Sequence, residues 1–224
     1  MRRCFAGLLA AALLATACGT DSTSAADRRV TLVTTACGNA SRTSGTGVIV
    51  EDGWVLAAAH VVIGAGQVDV AGAFGSERAE IAVLDTAADL ALLRVGGAQA
   101  SPIVVSEAGA TDTVQFSTEG DVPMSATVLR TVEIRIEAVR STERISRFGF
   151  EIDQRAAVGD SGGGVFDEDG DLLGIIFGRP IEDGEQRSFA VGHEMVEDVL
   201  NADRSGMWSC DASVHRVVEI SQQE

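Results

Sequence analysis

The sequence predicts an all-β protein, and three observations carry that prediction. From Val30 onward, short apolar runs alternate with turn signals, the pattern of strands linked by tight loops. Helical periodicity is confined to one short stretch near the end, "HEMVEDVL" at 193–200. Between them, "GGAQASP" at 96–102 sets two glycines and a proline between two strand-rich halves, each long enough for a six-stranded antiparallel β-barrel. The expected division is a first barrel over about 30–95, a second over about 103–192, and a short C-terminal helix with a tail over 193–224.

Each element has a local reason. "TGVIV" and "WVLAAA" are apolar runs joined by "EDG", a hairpin in which glycine supplies the left-handed turn conformation. "LALLRV" at 90–95 is unbroken and predicts a strand buried on both faces. "TVEIRIEA" alternates strictly, with Val132, Ile134 and Ile136 on one face and Glu133, Arg135 and Glu137 on the other; "FGFEI" alternates likewise. "GVFDEDGDLLGIIFG" is two apolar runs around an acidic turn. In "HEMVEDVL", Met195, Val196, Val199 and Leu200 recur at helical spacing.

Seventeen basic residues against 33 acidic ones give a formal net charge of -16, which argues against nucleic acid and an anionic membrane surface as direct partners. The amino terminus relates to membranes differently. "MRR" followed by "FAGLLAAALLATA" reads as a signal peptide over residues 1–17, its apolar run too short for a span of about 20 residues. "LLATAC" resembles a bacterial lipobox, which implies cleavage before Cys18 and lipidation of its sulfur, with 18–29 as a flexible tether. Ordinary cleavage after "ATA", leaving a secreted protein with a free Cys18 thiol, is the alternative. Removing 1–17 leaves Cys18, Cys37 and Cys210, an odd number in an oxidising compartment. Cys37 and Cys210 flank the globular part and are expected to pair, with Cys18 as the lipid site. The membrane contact would then run through the N-terminal lipid alone.

The chemistry lies in three short stretches. Nucleophilic serine catalysis needs a hydroxyl beside a base, a carboxylate fixing that base, and backbone N–H groups aimed at a developing oxyanion. "GDSGGG" at 159–164, "VLAAAH" ending at His60, and "AADLALLRV" containing Asp89 offer these groups. Together they resemble the trypsin-like (chymotrypsin-fold) serine proteases, in their compact bacterial branch. The resemblance implies two barrels with the active site in the cleft between them. It implies Ser161 as nucleophile, His60 as general base, Asp89 as the carboxylate orienting His60, and the Gly159 and Ser161 amides as the oxyanion hole. Asp85 is the rival carboxylate, but no apolar strand follows it directly. Spacings of 29 residues from His60 to Asp89 and 72 from Asp89 to Ser161 are shorter than in the digestive enzymes. "FAVGHEMVEDVL" further resembles the end of the protease domain in high-temperature-requirement proteases, although those usually carry asparagine where Asp160 stands.

Asp160 needs a partner if buried. A new amino terminus made by cutting "DRRVTL" between Arg29 and Val30 is one source, and an internal arginine, with Arg155 nearest in sequence, is the other. The primary pocket is likewise open. Arg155, six residues before Ser161, would favour an acidic side chain; Ile176, Phe177 and Gly178 line it too, and a pocket narrowed by Phe177 would favour small aliphatic ones. No metal or cofactor is expected: "HEMVE" has Glu197 where a second zinc-binding histidine would stand, and "DEDGDLLG" lacks the glycine and glutamate positions of a calcium loop. The expected protein is an exported, lipid-anchored, monomeric serine endopeptidase acting on protein or peptide substrates. The alternative is a catalytically inactive binding module at the cell surface on the same fold.

Overall fold

The computed structural model describes residues 23–118, 123–140, 142–180 and 184–208; the expected signal peptide, Cys18 and Cys210 lie outside the described residues. Six antiparallel strands close the first barrel: β1 (Arg29–Ala36), β2 (Arg42–Glu51), β3 (Trp54–Ala58), β4 (Ala65–Gly72), β5 (Gly75–Asp85) and β6 (Leu90–Arg94). Their order around the barrel is β1-β2-β3-β6-β5-β4. Six more close the second: β7 (Thr113–Phe116), β8 (Met124–Glu137), β9 (Arg144–Ile152), β10 (Gly164–Phe166), β11 (Leu172–Gly178) and β12 (Ser188–Gly192). The second order is β10-β11-β12-β9-β8-β7. The fold is the expected pair of six-stranded barrels.

The unbroken apolar runs have a physical cause. Successive side chains of a strand point to opposite faces, and here both faces are covered. On β2, Ile49 enters the first barrel's interior while Val48 and Val50 join a second core between the barrels. On β6, Ala91 and Leu93 face inward while Leu90 and Leu92 face the seam. From the other side the seam receives Phe166, Leu172, Ile175 and Val191. The helix α2 (His193–Leu200) closes it with Val196 and Val199. The second barrel's own interior is built on Phe116, Phe150, Ile152 and Val165.

Two features differ from the sequence expectation. The second barrel's first strand begins at Thr113, not near 103, because Ile103 and Val105 are drawn into the seam. The Ile103 amide donates to Val50 O at 2.7 Å, and Val105 forms an isolated parallel bridge to Leu172. A single helical turn, α1 (Ala59–Val62), also follows β3. One turn is too short to leave a periodic signature, yet it carries His60. The hairpin through "EDG" forms as expected, with Gly53 at φ +79°.

Candidate active site

The turn α1, directly after β3, delivers His60 to a cleft between the barrels, and the loop before β6 delivers Asp89. The two are joined twice: the His60 backbone N–H donates to Asp89 Oδ1 at 2.8 Å, and His60 Nδ1 lies 2.8 Å from Asp89 Oδ2. Asp89 is almost fully buried, whereas the His60 side chain keeps 35% of its exposure. A carboxylate so placed holds Nδ1 protonated and turns Nε2 toward the cleft as an acceptor. Asp89 sits at φ +59°, a left-handed conformation that aspartate tolerates better than most residues. The rival Asp85 is spent locally, its Oδ1 accepting the Ala87 and Ala88 amides at 2.8 Å each.

Ser161 comes from the second barrel, in a turn gripped by β2 of the first. Thr46 donates through Oγ1 to Gly159 O and through its amide to Ser161 O, both at 2.8 Å. Gly159 stands at φ +101°. Among the described residues, neither the Gly159 nor the Ser161 amide donates to a protein acceptor, so both remain available to an anion. Gly162, at φ +91°, fits only because it has no side chain: a Cβ there would lie 2.0 Å from Thr46 O. Ser161 and His60 line one cleft of about 270 Å³. No hydrogen bond joins Ser161 Oγ to His60 among the described residues, a looseness common in such sites before substrate binds.

Placement of the pocket residues follows strand parity. Ile176 and Gly178 line the cleft, while Phe177 between them points away, stacking on Phe189 with ring centroids 6.3 Å apart. Arg155 also lies outside the cleft lining, and its Nη1 donates to Glu185 O at 3.0 Å. Nor does Arg155 pair with Asp160, whose Oδ2 accepts the Ala157 amide at 2.7 Å within the same turn. Val30, the amino terminus that a cut after Arg29 would create, is buried in β1 opposite Gly47. Such a cut would have to unpair that strand.

Three residues at the site were not singled out from the sequence. Thr46 was read only as part of a strand. Arg179 lines the cleft and donates through Nη1 to Ala156 O at 3.0 Å. Arg147, from β9, is 2% exposed and forks onto Ala87 O through Nε and Nη2 at 3.0 and 2.9 Å. Its Nη1 lies 3.8 Å from Asp89 Oδ2, and its guanidinium sits 4.7 Å above the Phe177 ring. Burial lowers the Arg147 pKa, opposed by the charges of Asp89 and then Asp85. A larger hollow of about 330 Å³, between β8, β9 and the start of α2, holds His193 among Glu107, Glu133 and Glu194 but no serine.

A family model described as the trypsin-like peptidase domain matches residues 45–175, a span that contains His60, Asp89 and Ser161. Over 148 residues the chain is 31% identical to the serine protease Rv3671c of Mycobacterium tuberculosis (strain H37Rv), covering 63% of this chain and 37% of that protein. The chain thus spans little more than a third of the length of the curated relatives it matches. Among solved structures, the active form of the Rv3671c protease has a TM-score of 0.73 at 23% identity, covering 83% of this chain and 86% of that one. The HtrA-type protease AlgW, solved with a tripeptide, has a TM-score of 0.64 at 22% identity, covering 78% and 59% respectively. At these identities the structural likeness is one of fold, whereas the family model spans more than half of the sequence: the chain belongs to the trypsin-like peptidase family.

Proposed function

We propose that the protein is a serine endopeptidase. The observation that carries this reading is the doubly hydrogen-bonded His60–Asp89 pair facing the same cleft as Ser161. Ser161 Oγ attacks the peptide carbonyl, His60 takes its proton at Nε2 and returns it to the leaving amine, and Asp89 holds the imidazole. The Gly159 and Ser161 amides bind the tetrahedral oxyanion.

The test is a fluorophosphonate probe applied to the full-length protein and read by intact mass, with Ser161→Ala and His60→Ala beside it. One adduct on the parent protein and none on either variant is the expected result. A folded parent that takes no adduct would overturn the reading and favour the inactive binding module.

Export and anchoring belong to the same proposal. The lipobox-like stretch supports a lipoprotein held through Cys18. Cys37 is disulfide-bonded, which supports its pairing with Cys210. The substrate is a protein or peptide, and the working unit is a monomer.

Arg179 extends the proposal to substrate preference. Among the described residues it is the one arginine on the cleft wall and meets no carboxylate, so its remaining donors are available to an acidic side chain. Arg179→Gln is expected to lower kcat/KM about three- to fivefold for peptides carrying Asp or Glu beside the scissile bond, the scale of one exposed ion pair. Peptides with alanine there should change by less than about twofold. Equal losses on both peptides would remove Arg179 from the specificity pocket.

A further inference from the structure

The reaction as described gives no part to Arg147, the largest fully buried side chain among the described residues. Arg147 reaches from β9 of the second barrel to the first, where its fork grips the carbonyl two residues before Asp89. A buried carboxylate is costly unless compensated. Asp89 receives two hydrogen bonds from His60, and while His60 is neutral these bring no charge. Among the described residues the sole arginine within 4 Å of the Asp89 carboxylate is Arg147. We propose that Arg147 is a positioning residue of the peptidase, which holds the Asp89 loop in place and whose charge opposes protonation of His60.

The first effect is mechanical. The fork onto Ala87 O, together with the seat on Phe177, fixes the loop that keeps Asp89 in its left-handed conformation. The second is electrostatic. A cation behind Asp89 opposes the imidazolium, so the His60 base stays free at lower pH than it would with Asp89 alone. The other charged groups facing this cluster are Asp85 on the Asp89 loop, and Glu137 of β8 and Arg179 after β11, which line a hollow of about 230 Å³ together with Asp89 and Arg147. On the far side of α1, the guanidinium of Arg140 lies against Gly64. None of these makes an ion pair with Asp89 among the described residues.

The proposal rests on the peptidase reading, but its first readout, the His60 titration, does not need turnover. The His60 imidazole is titrated by NMR in the full-length parent, in Arg147→Gln and in Arg147→Lys, and the pH profile of kcat/KM is recorded for each. Arg147→Gln keeps a donor for Ala87 O and loses the charge. Removing a cation makes the protonated imidazole cheaper, so the His60 titration and the acid limb of kcat/KM should both move up by about 0.5–1 pH unit. Arg147→Lys keeps the charge and loses the fork, so the titration should stay at the parent pH while kcat falls. A folded Arg147→Gln protein whose His60 titrates as in the parent would overturn the proposal and leave Arg147 a tie between barrels. Should Arg147→Gln not fold, Arg147→Lys decides alone: an upward displacement despite the retained charge would overturn it, and an unmoved titration with reduced kcat would uphold it. A parent that titrates normally yet takes no fluorophosphonate would count against the peptidase reading only.

Discussion

Asp89→Asn is expected to lower kcat about 10⁴-fold while the protein remains folded. The loss follows from hydrogen-bond polarity, not from size. Asp89 accepts at both oxygens, from the His60 amide at Oδ1 and from Nδ1–H at Oδ2. An asparagine has one acceptor and one donor for these two places. If its NH₂ faces Nδ1, the imidazole proton moves to Nε2, and the ring can no longer take the Ser161 proton. If its NH₂ faces the His60 amide, two donors oppose each other and the turn is displaced. Either orientation also leaves Arg147 with no carboxylate at Asp89's position. Steady-state hydrolysis of a peptide substrate, with thermal unfolding as the folding control, measures the effect. A loss below about tenfold in kcat would mean that Asp89 does not orient His60.

Gly162→Ala is expected to remove activity and destabilise the protein together, by about 3 kcal/mol or more. Two costs coincide at this position. The backbone is left-handed at φ +91°, and the added methyl would meet Thr46 O at 2.0 Å and the Ala58 amide nitrogen at 3.0 Å. Both obstacles are backbone of the first barrel, so neither can swing aside as a side-chain tip would. Relief requires Ser161 and its amide to retreat from the cleft, which misplaces the nucleophile and one oxyanion donor in a single step. The melting temperature should fall by roughly 6–12 °C for a protein of this size, with fluorophosphonate labelling lost at temperatures where the fold persists. Normal labelling would show that the turn does not need its close approach to Thr46.

Much of this architecture was legible in the sequence because strand parity is a local property. The "LALLRV" run announced burial on two faces, and the structure supplies the second face as the seam against Phe166 and Leu172. The glycines of "GDSGGG" announced a strained turn, and Gly159 and Gly162 adopt left-handed angles there. Parity also explains one misplacement: Phe177 alternates with Ile176 and Gly178, so three consecutive residues could not all line one cleft. What stayed illegible depends on partners remote in sequence. Thr46 meets Gly159 across 113 positions and Arg147 meets Ala87 across 60. Nothing in the composition around either residue distinguishes it from an ordinary strand position. Arg155 and Arg179 show the same limit, since proximity to Ser161 along the chain did not decide which arginine reaches the cleft.

The grip of Thr46 on the serine turn has a consequence for how activity appears in time. The base and its carboxylate belong to the half of the chain synthesised first, the nucleophile to the half synthesised last, and the bonds that shape the oxyanion turn run between the halves. An incomplete or half-folded chain therefore carries every reacting group it will ever have on that half, yet has no assembled catalyst. Contacts of such long sequence separation are slow to form, so on the proposed reading His60, Asp89 and Ser161 come together only when both barrels have closed and docked.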